Sequence, residues 1–149
     1  MSRLIDQQTA LTYNMPSFKC FNKINDKLAA NIRMYMDLED TDGINSCSKE
    51  ISRILKAEVF NLTSEKHTAP FEYITGRGTN LLTLTCEFYL NLSPTMNPVV
   101  EVENKKWDLQ KNMVTYVNNK LPHTISNNNN TNIYLIRGNF EWVTAIHAD

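Results

Sequence analysis

The sequence lacks closely spaced cysteines, long apolar runs and a strong net charge. Its three cysteines, Cys20, Cys47 and Cys86, lie far apart, which argues against a disulfide framework and against a zinc site. No segment approaches the ~20 apolar residues that a transmembrane helix requires. Residues 1–8 contain no apolar stretch typical of a signal peptide. We therefore expect a cytoplasmic protein that does not bind membranes.

The charge balance argues against nucleic acid as a partner. The formal net charge of the 149 residues is -1, and 21% of them are charged, so no basic surface is indicated. The length fits one domain with a core large enough to fold without disulfide bonds or bound metals. The nineteen asparagines form helices and strands poorly and predict long polar loops. A biased nucleotide composition of the source genome would explain this excess equally well.

Sequence motifs for catalysis or ligand binding are absent. The sequence has no G-x-S-x-G, no H-E-x-x-H and no phosphate-binding loop. His67, His123 and His147 are isolated, and no two have the i, i+4 spacing of a helical metal site. Residues 40–43 resemble part of a calcium loop, but Lys49 stands where that loop needs a bidentate glutamate. We therefore predict no metal, no cofactor and no enzymatic activity. A small hydrolase using His67 or His123 is the enzymatic alternative.

The clearest positive signal is a strictly alternating segment at residues 81–92. Its even-numbered positions, from Leu82 to Leu92, are all apolar and include Cys86 and Phe88. Its odd-numbered positions from Thr83 onward are mostly polar. Because strand side chains alternate between faces, this pattern predicts a long strand with one apolar and one polar face. Phe88 is expected to be buried, and Tyr89 on the opposite face is expected to be exposed.

The remaining periodicity predicts three helices and three further strands. Apolar spacings of three and four predict helices over residues 17–38, from Ser46 or Ser48 to Leu62, and over 104–121. Strands are predicted at 71–75, 133–137 and 140–146, with turns at 76–78 and at Gly138–Asn139. Residues 63–70 and 123–132 are predicted loops, the second containing Asn127–Asn130.

These elements predict a single α+β domain. Residues 1–16 form a flexible N-terminal arm, and residues 17–149 form the domain in the order α-α-β-β-α-β-β. A mostly antiparallel four-stranded sheet packs on helices.

The segment from Leu81 onward resembles the small α+β tail-terminator and tail-completion proteins of bacteriophages. The resemblance is carried by the strand 81–92, the turn 93–98, the helix 104–121 and the closing strands to Ile146. It implies a structural subunit that forms a ring at the end of a tail tube. Its partners would then be further copies of itself and other structural proteins, and its final location the virion.

The same resemblance suggests a contact surface between subunits. The residues predicted to meet a neighbour are the arginine at the tip of the 76–78 turn and the polar face of the long strand: Arg77, Thr83, Thr85, Glu87 and Tyr89. A small binding or inhibitor protein, such as an immunity or host-takeover factor, remains an alternative. Such a protein would present the sheet edge or residues 37–42 to one partner.

Overall fold

The computed structural model describes residues 17–68, 70–75, 85–118, 123–128 and 131–141. Within these ranges the chain forms nine strands and three helices. The strands are β1 (Phe18–Lys23), β2 (Phe60–His67), β3 (Phe71–Thr75), β4 (Thr85–Asn91), β5 (Val99–Val102), β6 (Lys105–Asp108), β7 (Met113–Val117), β8 (His123–Asn127) and β9 (Ile133–Glu141). The helices are α1 (Asp26–Asp37), α2 (Thr41–Asn45) and α3 (Ser48–Leu55). The predicted arm at 1–16 lies outside the described residues.

The strands form two antiparallel sheets that face each other. The larger sheet has the order β1-β7-β4-β9-β2 and the smaller one β3-β8-β5-β6. One hydrophobic core lies between the sheets, around Tyr89, Ile125 and Leu135. A second core lies between the larger sheet and the helices, around Ile32, Ile51 and Phe88. The predicted α+β class with one four-stranded sheet is therefore wrong, because most of the described chain is β-structure in two sheets.

Helix α1 begins later than the sequence predicts. Residues 18–23 form β1, which pairs with β7. The helix starts only after Asn25, whose side chain accepts a hydrogen bond from the backbone N–H of Leu28 at 2.7 Å, an N-cap. Its buried residues Ala29, Ile32 and Met36 pack on the sheet. In the described part of the chain, no helix is long and apolar enough to span a membrane.

The second predicted helix ends seven residues early. Helix α3 stops at Leu55, and Lys56 follows in the left-handed conformation with φ 56°, a common way to end a helix. Residues 60–67, which include most of the predicted 63–70 loop, form β2 and pair with β9. Pairing with a long neighbouring strand has outweighed the weak local preference of this polar segment.

The predicted helix at 104–121 is replaced by strands β6 and β7. Glu103 and Asn104 both have positive φ, at 52° and 66°, and connect β5 to β6, with Val102 opposite Lys105. A two-residue loop with both residues at positive φ is a type I′ hairpin turn. Spacings of four fit a strand as well as a helix, because four is a multiple of two.

The predicted hairpin at Gly138–Asn139 is also wrong. Strand β9 continues straight through Gly138, which lies opposite Phe88 of β4. Alternation therefore places Leu135 between the sheets and Phe140 on the helix side, although the predicted hairpin put both on one face.

Several asparagines adopt the left-handed backbone conformation that favours glycine. Asn61, Asn104 and Asn112 have positive φ, a conformation that asparagine tolerates better than most residues. Other asparagines are buried rather than in wet loops. Asn91 donates to the carbonyl oxygen of Leu109 at 2.6 Å and accepts from the N–H of Ser93 at 3.0 Å. The predicted loop at 123–132 is wrong over residues 123–127, which form β8, and its residues 129–130 lie outside the described ranges.

Candidate functional site

The polar face of β4 lies inside the molecule. Thr85, Glu87 and Tyr89 are 6%, 8% and 0% exposed because the smaller sheet covers this face. The predicted alternation and the burial of Phe88 are confirmed. The predicted exposure of Tyr89 is wrong, since a second sheet of the same chain occupies the position expected for solvent or a neighbouring subunit. Of the predicted contact residues, 77 and 83 lie outside the described ranges.

Glu87 is the centre of a buried hydrogen-bond network. The Tyr89 hydroxyl donates to Oε1 of Glu87, and Nε2 of His123 lies 3.1 Å from the same oxygen. Arg137 NH2 donates to Oε2 at 2.7 Å. Strands β4, β8 and β9 thus each supply a partner, and the network connects the two sheets.

These donors keep Glu87 ionised. Burial by itself would raise the pKa of Glu87, since it removes water from the carboxylate. The hydrogen bond from His123, the charge of Arg137 and the hydrogen bond from Tyr89 outweigh burial and lower the pKa below its ordinary value. Because an ionised carboxylate can only accept, we assign a ring hydrogen of His123 to Nε2.

A second carboxylate–histidine pair lies on β2. Nε2 of His67 is 3.0 Å from Oε1 of Glu65, and the His67 ring stacks on Phe71 with centroids 3.9 Å apart. Arg137 NH1 donates to Oε2 of Glu65 at 3.1 Å. The Arg137 guanidinium therefore bridges Glu65 and Glu87, one nitrogen to each carboxylate.

A cavity of about 420 Å³ opens beside this network. Its lining in the described chain is polar and comes from β2, β4 and β9: Asn61, Thr63, Glu65, Glu87, Arg137, Gly138 and Asn139. The side chain of Asn61 donates to that of Asn139 at 3.3 Å, and Asn139 donates to the carbonyl oxygen of Cys86 at 3.1 Å. Both carboxylates thus line a cavity whose wall carries further donors and acceptors.

The structure brings together residues that the sequence analysis treated separately. His67 and His123 lie in one network through Glu65, Arg137 and Glu87, whereas His147 lies outside the described residues. Glu65 and Arg137 were not selected from the sequence. The available signal was alternation: Thr63, Glu65 and His67 share one face of β2, as Leu135 and Arg137 do in β9.

Comparison with solved structures identifies proteins of the same fold. No family model and no curated protein matches the sequence. The crystal structure of HygX from Streptomyces hygroscopicus with iron bound is similar over 92% of this chain and 87% of that one, with a TM-score of 0.67 and 8% identity. The non-haem α-ketoglutarate-dependent epimerase SnoN of nogalamycin biosynthesis is similar over 91% of this chain and 80% of that one, with a TM-score of 0.57 and 7% identity. A Pseudomonas putida prolyl-4-hydroxylase is similar over 93% of this chain and 97% of that one, with a TM-score of 0.54 and 8% identity.

The described residues do not fit a non-haem iron centre. Such centres use two histidines and one carboxylate with open coordination positions. No group of three histidine, cysteine, aspartate or glutamate side chains in the described ranges is placed to hold a metal. Arg137 instead occupies the space between the two carboxylates. The segment 76–84, which joins β3 to β4, contains none of these four residue types.

The comparisons overturn the phage resemblance. At this level of identity they establish the fold alone, a double-stranded β-helix of two facing antiparallel sheets. They give no support to a tail terminator, a structural subunit, a binding or inhibitor factor, or a virion location. The prediction that the protein is not an enzyme is contradicted as well, because SnoN and the prolyl-4-hydroxylase, which have a similar fold, are enzymes. The chain has the double-stranded β-helix fold found in HygX, SnoN and the prolyl-4-hydroxylase.

Proposed function

We propose that the protein is an enzyme that transfers protons to and from a small polar molecule held in the cavity beside Glu65 and Glu87. The observation that carries this proposal is the pair of carboxylates in the cavity wall, each hydrogen-bonded to a histidine. General acid–base catalysis requires titratable groups within hydrogen-bond reach of the substrate. Polar, concave sites with a few convergent titratable groups are where such chemistry is usually found.

The two carboxylates have different surroundings and can therefore take different roles. Glu87 is the more buried, with a side chain 11% exposed, and its lowered pKa keeps it ionised near neutral pH. It can accept a proton or stabilise positive charge that develops on the substrate. Glu65 is 23% exposed, and with His67 it forms the second proton-transfer pair.

The proposed reaction needs no oxidant. A C–H bond adjacent to a carbonyl or imine breaks, the electron pair stays on the substrate and the proton moves to a carboxylate. In an isomerisation the carboxylate then returns the proton to another carbon. In an epimerisation the other carboxylate–histidine pair delivers a proton taken from water to the opposite face of the same carbon, and the first carboxylate releases its proton to water. Arg137 holds the two carboxylates at a fixed separation, which keeps the acid–base pair oriented.

Exchange of substrate hydrogen with solvent tests this proposal without knowledge of the substrate. The protein is incubated in deuterated water with an extract of small polar metabolites, and mass spectrometry follows deuterium incorporation at carbon. We expect incorporation into at least one metabolite, and its loss in Glu87→Gln and in Glu65→Gln.

Glu101→Gln is the matched control variant. Glu101 lies on β5 between Val100 and Val102, which are buried between the sheets, so strand alternation directs its side chain away from the cavity. Incorporation should persist in this variant. No incorporation by the parent, or equal incorporation by all three variants, contradicts the proposed function.

A further inference from the structure

We infer that the cavity takes a cationic ligand: a small polar molecule that carries an ammonium group. This inference rests on the proposed function, because it specifies the chemical class of the molecule held in the same cavity. It follows from the charge of the cavity wall and from the way Arg137 is already bound.

The wall retains a negative charge. Its charged side chains in the described chain are two carboxylates, Glu65 and Glu87, and one guanidinium, Arg137. The formal charge of these three side chains, two negative and one positive, is -1. A cleft lined by one sign of charge concentrates ligands of the opposite sign, since its low-dielectric walls focus the field.

Arg137 does not provide an open receptor for an anion. Its NH1 donates to Glu65 at 3.1 Å and its NH2 to Glu87 at 2.7 Å. The guanidinium has further N–H groups, but a ligand carboxylate that bound them would lie beside both negative charges and be repelled by them. An ammonium group is attracted instead, because the wall carries two carboxylates and one guanidinium.

Glu87 retains capacity for a further donor. A carboxylate has about four acceptor positions on its two oxygens. Among the described residues, the hydrogen bonds to Glu87 come from Tyr89, His123 and Arg137, and of these Arg137 alone binds Oε2. An ammonium group in the cavity can therefore donate to Oε2 of Glu87 without disturbing the network. Asn61, Thr63 and Asn139 offer amides and a hydroxyl to the rest of the ligand.

Three sugars with the same ring, one cationic, one neutral and one anionic, test which ligand charge the cavity prefers. Glucosamine, glucose and glucuronate are titrated into ¹⁵N-labelled protein, and the amide signals of Gly138 and Asn139 report binding at the cavity. Since a charge pair near a protein surface is worth more than a neutral hydrogen bond, we expect glucosamine to bind about tenfold more tightly than glucose. Glucuronate should bind most weakly. In Glu65→Gln the preference for glucosamine over glucose should fall, whereas Glu101→Gln should retain it.

The possible outcomes distinguish this inference from the proposed function. Equal affinity for glucosamine and glucose, or tighter binding of glucuronate, overturns the cationic class and leaves the proton-transfer proposal to its own exchange test. Failure of all three sugars to shift the cavity amides also overturns the inference. Retention of the full preference in Glu65→Gln would show that the cavity carboxylates are not its source, and this too overturns it.

Discussion

Gly138 lies directly opposite Phe88 in the larger sheet, and the Phe88 ring occupies the space where a side chain at 138 would begin. A Cβ atom at 138 would come within 2.7 Å of Cε2 of the ring and 3.1 Å of the carbonyl oxygen of Phe60. The absence of a side chain therefore permits the contact between β4 and β9 from which the buried network is built.

Gly138→Ala should destabilise the fold. Overpacking of this kind costs about 1–3 kcal/mol, measured as the free energy of unfolding in urea. Phe88→Leu in the same chain should recover part of the loss, because a smaller side chain relieves the overlap. Strict additivity of the two single changes in the double variant would show that the residues do not compete for the same space.

Tyr89→Ala should destabilise the protein as severely as Phe88→Ala. Both side chains are fully buried, and loss of a large buried aromatic side chain costs about 3–5 kcal/mol. Phe60→Ala is the control, since Phe60 is 39% exposed and its loss should cost much less. A Tyr89→Ala variant as stable as the Phe60→Ala variant would mean that the smaller sheet does not cover β4.

The stability of the protein should decrease in acid through Glu87. The pKa of Glu87 in the folded protein is lowered from 4.5. Between the two pKa values the folded state therefore binds fewer protons at Glu87 than the unfolded state does. The stabilisation is therefore complete above the unfolded value of 4.5 and is lost as the pH falls through the lower folded value. At pH values below 4.5, the urea concentration at the unfolding midpoint should decrease with falling pH more steeply for the parent than for Glu87→Gln. Equal dependence of the two midpoints on pH would refute the lowered pKa of Glu87. The control variant Glu101→Gln should show the same pH dependence of its midpoint as the parent.

The cysteines should differ widely in reactivity. Cys47 and Cys86 are fully buried, whereas Cys20 is half-buried. Burial raises the pKa of the Cys47 thiol to about 11, so at pH 8 only about one in 1000 of these thiols is ionised and reactive. Iodoacetamide followed by peptide mass spectrometry should label Cys20 first and Cys47 only after unfolding. Comparable labelling of Cys20 and Cys47 in the native protein would contradict the buried position of α3.

The tag-free protein should take up no stoichiometric divalent metal at the Glu87–His123 pair. A divalent metal needs several ligands with free lone pairs, and no group of three histidine, cysteine, aspartate or glutamate side chains in the described ranges is placed to supply them. Calorimetric titration with nickel, together with elemental analysis of the purified protein, measures this directly. Stoichiometric binding that disappears in His123→Ala would show that the network rearranges into a metal centre.

The sequence by itself determined the local pattern of β4 but not what its polar face meets. Alternation correctly placed Cys86, Phe88 and Leu90 on the helix side. A polar face on a strand is equally consistent with bulk water and with a polar interior, because both satisfy the same hydrogen-bonding groups. The position of the smaller sheet decides between water and a polar interior. Because this sheet covers β4, the face predicted to contact a neighbouring subunit is buried within the chain.

The errors in secondary structure have the same origin. Spacings of four at Leu109, Met113 and Val117 suit a helix, but residues 113–117 form β7, which is stabilised by pairing with β1 and β4. Gly138–Asn139 is a good local turn, yet the close approach of Phe88 requires the glycine within a continuous strand. In each case the sequence limited the residue to a small set of conformations. Contacts with residues distant in the chain supplied the free energy that selected one of them, and they brought β2, β4, β8 and β9 together around Arg137.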